Sequence, residues 1–122
     1  EFAVSDSGRL AVKDATLTTT PGKSAWLLSC EPSRTWVAYQ PNADAALPLT
    51  LECPAGRVTC ERFPLGKLAI TQTADGGVKI DVDAEPSVLK LESKATAVSA
   101  SFNGTAAETT RDAAGNWIIH TK

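Results

Sequence analysis

Apolar and polar residues alternate along this chain in short runs, interrupted roughly every eight to twelve residues by clusters of Gly, Pro, Asn or Asp. A period of two sends successive side chains to opposite faces of an extended strand, and no stretch holds apolar residues convincingly at helical spacing. In 47–53, Leu47, Leu49, Leu51 and Cys53 fall on one face while Thr50 and Glu52 fall on the other. Pro48 fits an edge or the start of that strand. Runs 67–73 and 78–83 flank Ala74-Asp75-Gly76-Gly77, the strongest hairpin signal, and place Leu68, Ile70, Val78, Ile80 and Val82 in the core. Leu89 and Leu91 point inward from 87–93.

The run 24–31 carries Trp26, Leu28 and Cys30 on one face and Ala25, Leu27 and Ser29 on the other, so it belongs centrally. Pro32-Ser33-Arg34 turns it into 35–40, its antiparallel partner. Runs 2–5 and 9–13, joined by Asp6-Ser7-Gly8, read as a hairpin. Asn103-Gly104 reads as a type I′ turn, a stronger assignment than the glycosylation sequon it also completes with Thr105. Residues 94–97 could wind one helical turn. About ten short strands without a helix make an all-β chain, most simply an antiparallel β-sandwich over a single domain spanning 1–122. A closed or partly open barrel is the alternative.

Composition narrows the chemistry. The chain has 122 residues, 6% aromatics and no methionine, so Leu, Val, Ile and Ala build the core. Twelve basic and fourteen acidic residues are scattered along it, which is not the concentrated positive field a nucleic acid requires. No apolar run approaches a membrane span, so membrane insertion is not expected. Cys30, Cys53 and Cys60 allow one disulfide with a thiol left over, or three small buried hydrophobes.

Candidate chemistry is sparse. The one histidine, His120, lies near the end of the last run with no nucleophile motif beside it. Three separated cysteines and one histidine do not space a zinc site, and the scattered aspartates lack a calcium-loop pattern, so neither metal nor cofactor is expected. Asp81 and Asp83 share a strand face, about 6.5 Å apart by strand rise, a separation a glycosidase could use. Without an apolar wall to split their acidities, they read as a solvated face. Trp26, Trp36 and Tyr39 cluster in sequence, and sugar rings stack on exposed aromatic faces. The candidate ligand-binding residues are Trp36, Tyr39, Arg34 and Asn42; the alternative puts Trp26 and Trp117 in the core, with Trp36 or Tyr39 capping a sheet edge.

The segment from Ser24 through Trp26, Cys30, Trp36 and Tyr39 to Asn42, followed by Leu49-Thr-Leu-Glu-Cys-Pro-Ala-Gly56, resembles part of the C-terminal β-sandwich accessory modules of bacterial glycoside hydrolases and polysaccharide lyases. Gly77-Val-Lys-Ile-Asp-Val-Asp, leading to Leu91, looks like the penultimate strands of such modules. The odd cysteine count and the extra terminal hairpin over 98–122 depart from that pattern. The resemblance implies a non-catalytic accessory domain of a secreted or periplasmic enzyme, binding carbohydrate or packing on a protein. The alternative is a free-standing secreted protein that binds another protein, such as an enzyme inhibitor, an immunity protein or an adhesin subunit.

Overall fold

The computed structural model describes residues 1–30, 33–86 and 88–121. Glu31, Pro32 and Ser87, expected at a strand end, a turn and a strand start, lie outside the described residues. Fourteen strands run in order: β1 (Phe2–Ser5), β2 (Arg9–Ala11), β3 (Thr16–Thr18), β4 (Ala25–Cys30), β5 (Thr35–Gln40), β6 (Leu47–Cys53) and β7 (Gly56–Phe63). They continue with β8 (Gly66–Gln72), β9 (Val78–Val82), β10 (Val88–Glu92), β11 (Val98–Phe102), β12 (Thr105–Ala106), β13 (Glu108–Arg111) and β14 (Trp117–His120). Sheet I has the order β1-β4-β5-β8-β9-β11-β12, and sheet II the order β13-β14-β10-β7-β6-β3-β2. The two sheets form a β-sandwich, not a closed barrel, and no described residue is helical.

The chain deals its hairpins to the sheets in turn: β2–β3 to sheet II, β4–β5 to sheet I, β6–β7 to sheet II, β8–β9 to sheet I. Only then does it place β10 alone in sheet II before returning to sheet I. That round trip makes β11 run parallel to β9, a departure from the all-antiparallel expectation. Parallel neighbours need such a crossover, and here the opposite sheet supplies it. The expected first hairpin is also not formed: β1 pairs with β4 and β2 with β3, so Asp6-Ser7-Gly8 carries the chain between sheets. At the far edge, β12 and β13 form one extended stretch that changes sheet at Ala107, whose N–H donates to the Ala100 carbonyl (2.8 Å). Residues 94–97 are irregular rather than helical, because Ser93 caps the turn there, accepting from the Ala95 N–H and donating to the Ala55 carbonyl.

Burial follows the alternation. Leu49, Leu51, Val58, Leu68, Ile70, Ile80, Val82, Leu89, Leu91 and Ile119 all belong to one continuous core shared by both sheets. Pro48 is the second residue of β6, beside a β-bulge: Leu47 faces Phe63 and Leu49 faces Cys60, so β7 uses one extra residue. The bulge leaves Glu61 and Arg62 exposed together while Phe63 is fully buried. Gln40, buried, ties the crossover after β5 to sheet II, its Nε2 donating to the Ala45 and Phe63 carbonyls (2.9 and 3.2 Å). Both turn predictions hold. Asn103 and Gly104 have φ of 51° and 80°, as a type I′ turn requires, and β8 and β9 pair around Thr73–Gly77.

The anticipated disulfide is not formed, and all three cysteines are free. The cause is geometric. Cys53 faces Gly56 across a two-residue connection, and Cys60 lies four residues farther along β7, about 13 Å away by strand rise, beyond a disulfide's reach. Cys30 is in the other sheet and shares the outward face of β4 with Trp26. Burial pushes the Cys53 thiol up to about 11, against weaker opposing hydrogen bonds from the Ala55 and Gly56 backbone, and it raises Cys60 as well.

The Cys53 thiol is neutral when buried, so its contribution to stability is complete below the ordinary thiol value of 9.0 and is lost as pH rises through about 11. Alkylation at pH 8 should therefore label Cys53 and Cys60 far more slowly in the native than in the urea-unfolded chain. Equal rates would refute the burial argument. A side chain at Gly66 would place Cβ 2.4 Å from the Asp83 carbonyl oxygen, at a φ of 156°. In urea unfolding, Gly66→Ala should cost at least about 2 kcal/mol, while Gly76→Ala, with open space around it, should cost about 1 kcal/mol.

Candidate functional site

The site is set by the parity of β4 and β5. Register pairs Trp26 with Tyr39, Leu28 with Val37 and Ser29 with Trp36. Ala25, Leu27, Trp36 and Ala38 turn into the core, which leaves Trp26, Leu28, Val37 and Tyr39 on the outer face. On the neighbouring β1, Phe2 pairs with Leu28 and Val4 with Trp26, extending that face to the sheet edge. Phe2, Val4 and Trp26 are 55%, 50% and 40% exposed. Phe2 and Trp26 meet edge to face with centroids 5.3 Å apart, and Trp26 and Tyr39 do so at 5.8 Å. A shallow apolar depression of about 370 Å³ opens there, lined by Phe2, Trp26, Leu28, Val37, Tyr39 and Lys67.

The depression has one polar side. Tyr39 pairs across to Lys67 on β8, and the Lys67 ammonium lies 3.7 Å from the Asp83 carboxylate. Trp26, Tyr39, Lys67 and Asp83 therefore form a row across adjacent strands, aromatic at one end and ionic at the other. Strand spacing sets about 4.8 Å between successive members.

The structure separates the residues singled out from sequence. Trp36 is 3% exposed and cannot serve as a surface platform. Its indole N–H is buried without a hydrogen-bond partner among the described residues, a cost of about 1–3 kcal/mol that the packing of the ring offsets. Tyr39 is on the aromatic face. Arg34 and Asn42 flank β5 at its opposite ends, about 20 Å or more apart by strand rise. Arg34, at a φ of 54°, donates through its guanidinium to Gln72 Oε1, and Asn42 Nδ2 donates to the Ser24 carbonyl (3.0 Å). Both act as loop fasteners. Trp26, absent from the candidates drawn from sequence, and Phe2 belong to the site instead. Trp117 is half-buried under the Arg111 guanidinium, 4.4 Å from the ring centroid.

Other groups are engaged locally. His120 Nε2 lies 4.0 Å from Glu108 on the outer face of sheet II. Asp81 accepts from the Ser101 hydroxyl (2.8 Å) and pairs with Lys79 (3.7 Å). In two turns the carboxylates are held below their usual range, Asp75 by the Thr73 hydroxyl and Asp112 by the Asn116 N–H. Among the described residues, no three His, Cys, Asp or Glu gather as a metal site would require, and no helix is long and apolar enough to cross a membrane. A cleft of about 630 Å³ at the hairpin end is lined by turn residues together with Gln72, Glu92 and Lys94. No protein-family model, curated protein or solved structure matches this chain.

Proposed function

We propose that this chain is a non-catalytic recognition module that holds a carbohydrate on the outer face of sheet I, in the manner of an accessory domain of an extracytoplasmic carbohydrate-active enzyme. The supporting observation is the exposed Phe2–Trp26–Tyr39 cluster. Aromatic rings left in water on the outer face of a sheet contribute nothing to the core, whereas the C–H faces of a sugar can cover them. The adjoining phenol, ammonium and carboxylate of Tyr39, Lys67 and Asp83 supply the directional hydrogen bonds that sugar hydroxyls need. The resemblance of 24–56 to sandwich modules of glycoside hydrolases and polysaccharide lyases points the same way. So does the engagement of His120, Asp81 and Asp83 in exposed ion pairs, which suits solvated structural roles.

A second reading, a surface that docks a protein, draws on Val4, Leu28 and Val37, aliphatic groups that frame the aromatics. Hot spots at protein interfaces have this aromatic centre.

Titration with a panel of neutral and acidic polysaccharides, followed by tryptophan fluorescence, separates the two. Carbohydrate recognition should shift the emission of Trp26, and Trp26→Ala should weaken binding roughly thirtyfold, about 2 kcal/mol, while leaving the fold intact. Trp36→Ala should instead lower stability by about 3–5 kcal/mol, as the loss of a large core side chain does. Silence toward every polysaccharide, or unchanged affinity in Trp26→Ala, would reject the glycan reading.

A further inference from the structure

Of the four edge strands, three are guarded. β2 presents Arg9, β12 is two residues long, and β13 carries Glu108 and Arg111. Charge and brevity are the usual means of keeping a sheet edge from pairing with another chain. β1, Phe-Ala-Val-Ser, carries no charge, proline or bulge, and its two outward side chains are apolar.

The hydrogen-bond phase of β1 shows what that edge offers. Glu1 and Ser29 exchange both backbone bonds, the Glu1 nitrogen donating to the Ser29 carbonyl and the Ser29 N–H to the Glu1 carbonyl, each at 2.9 Å. Antiparallel pairs alternate, so Ala3 and Ser5 also bond inward to β4, while the peptide groups of Phe2 and Val4 point away from it. Neighbouring β2 belongs to the other sheet, and no backbone bond among the described residues reaches Phe2 or Val4 from it.

We infer that β1 is a dimerisation edge that takes the β1 of a second copy of this chain. The occupant follows from self-complementarity. A two-fold axis beside Ala3 sets Phe2 opposite Val4 of the second copy and Val4 opposite its Phe2. These are the residues with free donors and acceptors on both sides, so each pair exchanges both bonds. Their side chains share the outer face, and pairing brings each exposed Phe2 against an exposed Val4. Sheet I then continues across the dimer, and the two aromatic faces become one surface. The bonds set the register, and covering Phe2 and Val4 supplies the affinity. The edge strand is short, which makes the dimer concentration-dependent rather than obligate.

Sedimentation equilibrium over a concentration series tests this. The wild type should approach twice its 12.8 kDa chain mass at the upper end. Val4→Pro removes an outward donor without touching the bonds to β4, and Val4→Lys places a charge at the edge. Each should raise the dimer dissociation constant about tenfold or more. A wild type that stays monomeric throughout overturns the proposal, and so does a dimer unaffected by both variants. Should either variant misfold, amide exchange on the wild type decides. Protection of Phe2 and Val4 that grows with concentration supports the edge pairing, and its absence overturns it.

Discussion

Everything distinctive about this molecule depends on which parity of the β4–β5 pair faces the core. Both faces of β4 carry apolar groups, so alternation alone permits either orientation, and a one-residue slip would exchange them. The deciding factor is volume. Ala25, Leu27 and Ala38 are small enough beside the large Trp36 indole to let sheet II approach, and all four are buried. The opposite choice would drive Trp26, Leu28, Val37 and Tyr39 into the same space, more side-chain volume than a core at native density accepts. Settling the core in this way forces the aromatic row outward. The candidate site is thus a consequence of core packing as much as of surface composition.

The rest of the sandwich is organised to hold that parity. Alternating deposition of hairpins puts successive sequence segments on opposite sheets, so each inner face is covered as the chain proceeds. Gln40, at the inward end of β5, reaches the β7 carbonyl of Phe63 and locks the register of the site strand to the other layer. On β7 itself the bulge at Glu61 and Arg62 changes phase by one residue, which turns Phe63 inward and keeps two charges in water. Regular alternation through the same residues, without the bulge, would turn Arg62 inward and Phe63 outward.

The period-two pattern made the strands, the β8–β9 hairpin, the type I′ turn and nearly all the aliphatic core legible, because a leucine alternating with a charged residue admits one orientation. It failed where both faces were apolar. Alternation left both faces of β4 open, and the site residues read from it included Trp36 and not Trp26, the reverse of the structure, because choosing between the faces of β4 and β5 requires the volume across the sandwich, which no single strand records. Sheet membership was equally invisible. The turn Asp6-Ser7-Gly8 has the residues of a hairpin turn, yet it crosses between layers, and the parallel β9–β11 pair depends on where β10 lies. The cysteines show the same limit. Their order along the chain suggested a bridge, while register places Cys53 and Cys60 too far apart along one sheet.

The exposed face raises a question of free energy that the core does not answer. Leaving Phe2, Val4 and Trp26 half in water forgoes about 25 cal/mol for each Å² of apolar surface not buried, and folding of the sandwich gains nothing from aromatic rather than polar residues there. Thr71 and Lys79, at comparable outward positions on β8 and β9, show that this sheet folds with polar side chains on the same face. The large apolar side chains of this face, Phe2, Val4, Trp26, Leu28, Val37 and Tyr39, all lie on β1, β4 and β5, and the stability of the sandwich does not account for them. The charged remainder of the face, with Lys67 and Lys79 paired to Asp83 and Asp81, marks the boundary of that apolar surface.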